Sequence, residues 1–91
     1  MAKKRDRLEV IYDILSLIRQ RNNSIKPTPL LRHSNLSSLG FTEYMGYLIE
    51  KGFVREVSDS KGKKSYTLTD KGFGYLEKYK MILGFIDEFE L

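Results

Sequence analysis

Three lysines crowd a polar loop, Ser58 to Lys64, between two runs that alternate apolar and polar residues. A hairpin turn closes with a glycine or an Asn-Gly pair alone, so turn geometry does not require Lys61, Lys63 and Lys64. An ammonium group binds phosphate as a point charge and carries no sequence information. The loop is therefore a candidate contact for a polyanion, and the alternative is a loop that is merely solvated.

The charge of the whole chain favours the same kind of partner. Sixteen Lys and Arg stand against twelve Asp and Glu in 91 residues, which gives a net charge of +4 and a pI near 9.4. Residues 1–80 hold every base and nine of the acids, whereas the last eleven residues hold three acids and no base. A second basic group, Lys3, Lys4 and Arg5, opens the chain. It could reach neighbouring phosphates or be an ordinary solvated start.

The chain has few residues that could form disulfides, bind metals or catalyse a reaction. The chain has one histidine, His33, and no cysteine, which excludes disulfides, thiolate metal sites and histidine clusters. No constellation fits a reaction template, so we expect no enzyme, no metal and no cofactor. No apolar run approaches the roughly 18 residues of a membrane span, and we expect a cytoplasmic protein that does not enter membranes.

The spacing of apolar residues predicts two helices in the first third of the chain. A stripe from Leu8 to Ile18 predicts a helix over residues 5–22, which ends at Asn22-Asn23-Ser24. Thr28 is the predicted N-cap of a short second helix, with Pro29 at its first position.

A third helix and a hairpin follow. Ser37 is the predicted cap of a helix to about Lys51, whose inner face carries Phe41, Tyr44, Met45 and Leu48. Strands are predicted at 53–57, where Phe53 and Val57 alternate with polar neighbours, and at 65–69.

A long helix from Asp70 to Glu90 closes the chain, with Thr69 as its cap. This order predicts a winged helix-turn-helix, mainly α with a small β-hairpin (an α+β fold). We expect one compact domain, in which residues 1–72 form the winged part and residues 70–91 a coiled-coil-like dimerisation helix. The lysine loop is then the tip of the wing.

Three short motifs carry a resemblance to a known family: an Asn-Leu-Ser turn at 35–37, LIEKGFV at 48–54 and YTLTDKG at 66–72. From about Lys4 to Tyr79 the chain resembles the small archaeal winged-helix DNA-binding proteins. These are single-domain transcriptional regulators and chromatin-associated proteins that dimerise through an antiparallel coiled coil of the last helix. The resemblance implies binding to double-stranded DNA, with the third helix in the major groove and wing lysines on phosphates. The chain departs from the family pattern at Gly40 and Gly46.

The outward positions of the third helix offer little for reading bases. Major-groove recognition favours Arg, Lys, Asn and Gln, and none of these is present there. Thr42 could touch a thymine methyl, Glu43 could accept from a cytosine amino group, and Tyr47 could bond a phosphate or be half-buried. We therefore expect modest specificity. The predicted DNA contacts are Arg32, Ser37, Ser38, Thr42, Glu43, Tyr47, Lys61, Lys63, Lys64, Lys3, Lys4 and Arg5.

The last helix is more apolar than one small domain requires. Its surplus predicts a homodimer, although the helix could instead fold back on the first helix. The predicted interface residues are Leu76, Tyr79, Ile82, Leu83, Phe85, Ile86 and Phe89.

These patterns together predict a dimeric, nucleoid-associated protein that binds double-stranded DNA as a transcriptional regulator or a chromatin protein. A protein-interaction module and an RNA-binding winged helix are the alternatives.

Overall fold

A computed structural model describes residues 5–91 of the chain. The elements follow the predicted order, mainly helical with one hairpin. Their bounds are α1 (Arg7–Gln20), α2 (Pro27–Ser34), α3 (Ser38–Glu50), β1 (Val54–Ser58), β2 (Lys64–Leu68) and α4 (Asp70–Glu88).

Helix α1 is the central element of the core. It begins after Asp6, whose carboxylate accepts a hydrogen bond from the backbone N–H of Glu9 at 2.8 Å. It ends before Asn22 and Asn23, whose positive φ angles of 59° and 58° are left-handed and cannot continue a helix. The helix is therefore shorter at both ends than the predicted span of 5–22. Its buried side chains are Val10, Ile11, Ile14, Leu15 and Ile18.

Helix α2 begins two residues before the predicted position. Its N-cap is Lys26, and Pro27 rather than Pro29 is the first helical residue. A proline fits there because the N–H that it lacks would have no partner within the helix. Thr28 therefore lies inside the helix, and its prediction as the cap is wrong. The helix ends at Asn35, whose φ of 60° is left-handed.

Helix α3 begins as predicted. The Ser37 hydroxyl accepts from the N–H of Gly40 at 3.0 Å, which makes it the cap of the helix. Phe41, Met45 and Leu48 are buried, and Tyr44 is half-buried.

Strands β1 and β2 form an antiparallel pair in which Val54 lies opposite Leu68 and Glu56 opposite Tyr66. Ile25 adds a short bridge to the other edge, since its N–H and C=O both bond to the backbone of Tyr66. The buried residue of β1 is Val54, whereas the predicted Val57 is 43% exposed. Because successive side chains point to opposite faces, a shift of one residue reverses the whole strand. The predicted inner face of β1 is therefore wrong.

The junction between β2 and α4 explains the Thr-Asp-Lys-Gly motif. Thr69 donates its backbone N–H to the carbonyl of Phe53 at 3.1 Å, and its hydroxyl accepts from the N–H of Gly72 at 3.2 Å. A Cβ atom on Gly72 would overlap that same Phe53 carbonyl oxygen. Only glycine lets the first turn of α4 lie this close to the start of β1.

Helix α4 packs against the rest of the protein over its first half, where its buried and half-buried residues lie. Leu76 is 1% exposed, so it belongs to the protomer core and its prediction as a dimer contact is wrong. The Tyr79 ring stacks on Tyr12 of α1, with ring centroids 4.6 Å apart. Every residue after Tyr79 is exposed. No helix among the described residues is long and apolar enough to cross a membrane.

Candidate nucleic-acid interface

Asp59 holds the tip of the wing in shape. Its carboxylate oxygen Oδ1 accepts from the backbone N–H groups of Lys61 and Lys63, at 2.8 and 2.9 Å. Its own N–H donates to the Lys63 carbonyl at 2.9 Å, and its carbonyl accepts from Gly62 at 3.0 Å. Gly62 has a φ of 78°, a left-handed value that glycine adopts without strain. The acid among the lysines is therefore a structural part of the loop.

The wing lysines differ in their partners. Lys64 lies 3.6 Å from Glu56, and both side chains are well exposed, so the pair contributes little to stability. Among residues 5–91, neither Lys61 nor Lys63 has a carboxylate within 4 Å. Since the Asp59 oxygen is engaged by the backbone, two ammonium groups project from the tip with their charge available.

Arg55 adds a cation to the wing that the sequence analysis missed. It lies opposite Thr67, on the face of the hairpin away from Val54 and Leu68, and it is exposed. Over the described part of the chain its guanidinium also lacks a carboxylate within 4 Å. The alternation that buries Val54 would have placed Arg55 outside, had the face of the strand been assigned correctly.

The exposed face of α3 is apolar and acidic. Leu39 is 71% exposed, and Thr42 and Glu43 are exposed beside it. The Thr42 hydroxyl donates to the Ser38 carbonyl at 2.9 Å, so its proton is used inside the helix. Glu50, also exposed, adds a second acid in the last turn.

Tyr47 lies at the edge of that face, one turn after Glu43, and it lines a pocket together with Arg7, Glu43 and Tyr44. It is half-buried, and the guanidinium carbon of Arg7 lies 4.3 Å from the centre of its ring. This cation–π contact ties α3 to the start of α1. Because Arg7 covers its ring, we leave Tyr47 out of the interface.

An internal contact also engages Arg5. Its guanidinium pairs with Asp13 at 2.7 Å and donates to the Ser34 carbonyl at 2.8 Å. These bonds join the start of α1 to the end of α2, so we leave Arg5 out of the interface as well. Arg32 is exposed on α2. The predicted contacts Lys3 and Lys4 lie outside the described residues.

Near these elements, Tyr75 fastens α4 to α1. Its hydroxyl donates to the Leu8 carbonyl at 2.8 Å, and its ring meets Phe53 edge-on at 5.6 Å. Burial, followed by the neighbouring Tyr79, Asp6 and Tyr47, raises the pKa of Tyr75 to about 12. The phenol therefore keeps its proton, and with it the donor, to a higher pH than an ordinary tyrosine does.

A second exposed surface lies at the far end of α4. We call it the apolar end of α4, and its residues are Met81, Ile82, Leu83, Phe85, Ile86 and Phe89, each at least 40% exposed. The Phe85 and Phe89 rings lie 4.8 Å apart. A groove runs between Leu83 and Ile86 on one side and acids of α1, including Glu9, on the other.

The comparisons with known proteins agree with this architecture. The chain is 34% identical over 83 residues to an uncharacterized protein of Methanocaldococcus jannaschii, a match that covers 91% of this chain and 36% of that protein. The chain thus spans well under half the length of that relative.

Two solved structures share the fold. Sso10a-2, a DNA-binding protein from Sulfolobus solfataricus, matches with a TM-score of 0.75 and 17% identity over 94% of this chain and 86% of that one. F93 from STIV, a winged-helix DNA-binding protein, matches with a TM-score of 0.73 and 21% identity over 88% and 91% of the two chains. The family model of winged helix-turn-helix proteins matches residues 4–86. The predicted resemblance is confirmed, and the chain belongs to the winged helix-turn-helix family.

Proposed function

We propose that the protein binds double-stranded DNA, with wing lysines on phosphates and α3 in the adjoining major groove. The observation that carries the proposal is the wing tip, where Asp59 fixes the loop and no carboxylate within residues 5–91 pairs with the Lys61 or Lys63 ammonium group. The DNA-binding proteins that share this fold support it.

Most of the affinity should come from the wing rather than from α3. Glu43 and Glu50 are exposed on α3, and a carboxylate beside a phosphate is repelled. Lys61, Lys63 and Arg55 supply the opposite charge on the hairpin. Phosphate contacts release condensed counterions, so binding through them weakens steeply as salt rises.

The salt dependence of duplex binding tests this division. With four to six phosphates engaged per dimer, the slope of log affinity against log salt is roughly −4 to −5. Substituting Lys61, Lys63 and Lys64 with Gln should flatten the slope by about two or more, as measured by fluorescence anisotropy. A matched variant, in which Arg19, Lys78 and Lys80 become Gln, removes three charges elsewhere and should leave the slope unchanged. An unaltered slope in the wing variant would remove the wing from the mechanism.

The same assay separates the rival classes of partner. A structured RNA that binds more tightly than the duplex at equal salt would replace DNA with RNA as the ligand. Binding to neither nucleic acid would leave a protein-interaction module.

We also propose that two copies associate through the apolar end of α4. Its six apolar side chains are all exposed within residues 81–89 of one helix, and a concentration of exposed apolar side chains marks an interaction site in soluble proteins. Folding back on α1 does not cover it, because the contact with α1 ends at the Tyr12–Tyr79 stack and the groove beyond stays open.

Sedimentation equilibrium tests the dimer. Phe85→Asp places a charge at the centre of the apolar end of α4 and should reduce the mass from twice 10.6 kDa to 10.6 kDa. Lys80→Asp places an acid on the same helix outside the apolar surface, with a change of charge one unit larger, and should stay dimeric. A dimer that persists in Phe85→Asp would place the subunit contact elsewhere.

The cellular role follows from how the protein distributes along DNA. A transcriptional regulator would be recovered with few genomic fragments, whereas a nucleoid-associated protein would be recovered with most of them. If the wing supplies most of the affinity, we propose the nucleoid-associated role, because phosphate contacts carry no sequence information. Sequencing of the bound genomic fragments distinguishes the two.

A further inference from the structure

The first two turns of α3 present methyl groups around a single carboxylate. Leu39 is 71% exposed and packs against nothing in the core. Thr42 is exposed, and because its hydroxyl is bonded to the Ser38 carbonyl, its methyl group is the part left for an apolar contact. Glu43 follows Leu39 by four residues, which places both on one face of the helix. We call Leu39, Thr42 and Glu43 the reading face of α3.

This face can recognise few of the groups in a major groove. Guanine offers only acceptors, O6 and N7, and these call for Arg or Lys. Helix α3 carries no Arg, Lys, Asn or Gln, and the Glu43 carboxylate would be repelled by guanine. The Ser38 hydroxyl bonds donors and acceptors alike and does not discriminate. What remains are amino groups for the carboxylate and thymine methyls for the apolar side chains.

Between the two bases that carry an amino group, the carboxylate favours cytosine. Adenine places the acceptor N7 next to its amino group, whereas cytosine offers its amino donor without a neighbouring acceptor. A lone carboxylate oxygen is therefore repelled less by cytosine.

Gly46 lets this face approach the bases closely. It lies seven residues after Leu39, two turns along the same side of the helix, and a Cβ atom there would meet nothing within 4 Å. A glycine in a helix interior costs about 1 kcal/mol relative to alanine, and no contact inside the protomer requires it here. An exposed position without a side chain is what a closely approaching surface needs.

We infer that α3 reads pyrimidine edges: Glu43 accepts from a cytosine amino group, and Leu39 with Thr42 packs on the methyls of neighbouring thymines. The inference rests on the proposed DNA binding and adds the base types that the protein selects. Specificity would then come from methyl and amino groups rather than from arginine on guanine.

Thymine methyls can be removed from the ligand without changing base pairing. Preferred duplexes are first selected from a random-sequence pool, and each is then remade with uracil in place of thymine. Affinity should fall about fourfold for each methyl that the protein buries. Leu39→Ala should reduce this difference between thymine and uracil. Leu8→Ala, a substitution of another leucine at 53% exposure, should preserve it.

The cytosine contact is tested with two acids on the same helix. Replacing the selected cytosine with another base should weaken wild-type binding about tenfold, the worth of a hydrogen bond to a charged group. Glu43→Ala should abolish that penalty. Glu50→Ala removes the same charge from the last turn of α3 and should retain it.

The outcomes separate this inference from the proposed function. Salt-dependent duplex binding with no effect of uracil, with guanine required in the selected sites, or with no site selected would overturn pyrimidine reading and leave DNA binding intact. An absence of duplex binding at any salt would overturn both.

Discussion

The wing tip and the apolar end of α4 both project from the core, but they differ in what holds their backbone and in the side chains that they expose. The wing loop is fastened to itself, since one Asp59 oxygen holds two backbone N–H groups and the charged ends of Lys61 and Lys63 extend into solvent. The end of α4 needs no such fastening, because a helix satisfies its own backbone, but its exposed side chains are apolar.

That difference determines what each surface needs. Solvated ammonium groups are stable alone and bind an anion only when one is present. Exposed Phe85 and Ile82 cost free energy until something covers them. The wing can therefore act as a reversible contact, whereas the apolar end of α4 calls for a lasting one. Three substitutions probe how the wing and α4 are held: one at their junction, one in the wing loop, and one where α4 meets α1.

The largest effect is expected at Gly72, which joins the end of the hairpin to the start of α4. Gly72→Ala should lower the free energy of unfolding by about 3 kcal/mol, because the new Cβ overlaps the Phe53 carbonyl oxygen and that backbone cannot move aside. Urea denaturation measures it. Gly74→Ala, where a Cβ meets nothing within 4 Å, should instead stabilise the protein by up to about 1 kcal/mol. Equal stabilities of the two variants would show that the junction is not tight.

A smaller, local effect is expected at Asp59. Asp59→Ala removes the acceptor of two backbone hydrogen bonds, so amide hydrogen exchange at Lys61 and Lys63 should accelerate about tenfold. The oligomeric state should stay as it is in the wild type, because the hydrogen bonds that Asp59 makes lie within the loop itself. Asp59→Asn keeps an acceptor oxygen and should retain most of the protection. Exchange that stays slow in Asp59→Ala would mean that the strands alone hold the loop.

The smallest effect is expected at Tyr75, which holds α4 against α1. Tyr75→Phe removes the hydrogen bond to the Leu8 carbonyl and should cost about 1 kcal/mol at neutral pH. The pKa of Tyr75 is raised to about 12 in the folded protein from the ordinary value of 10.0, so folding favours the protonated phenol. Its contribution to stability is complete below pH 10 and is lost as the pH rises towards 12.

Denaturation at increasing pH measures the Tyr75 contribution. Wild type should lose more stability than Tyr75→Phe across that window. Burial also raises the pKa values of Tyr66 and Tyr79, and both residues are present in the two proteins. A parallel loss in wild type and variant would assign the pH dependence to other groups.

Much of the fold could be predicted because its signals are local. Helical spacing indicated four helices, Ser37 and Thr69 were correct as caps, and the polar loop marked the wing. The bounds of α1 and α2 differ from the predicted bounds by a few residues. Asp6 can cap α1, and Pro27 can begin α2, as well as the residues predicted for those positions. Local chemistry offers several acceptable starts, and tertiary contacts select one.

The candidate site was harder to predict, because its residues depend on neighbours far along the chain. Arg5 was expected on DNA, but its guanidinium is engaged by Ser34, 29 residues away. Tyr47 is covered by Arg7 from another helix. Arg55 was missed because the face of β1 depends on its register with β2, and that register shows only in the paired strands.

By itself the sequence determined which elements form and in what order, because caps, turn glycines and apolar periodicity act within a few residues. It also determined that the wing is basic and the end of α4 apolar, since composition does not depend on packing. Only the tertiary structure decided which of these side chains remain free. Leu76 entered the core, Arg5 joined two helices, and Lys61 and Lys63 stayed available. The physical reason is that a side chain's availability depends on every element packed beside it, and those elements meet only after the chain has folded.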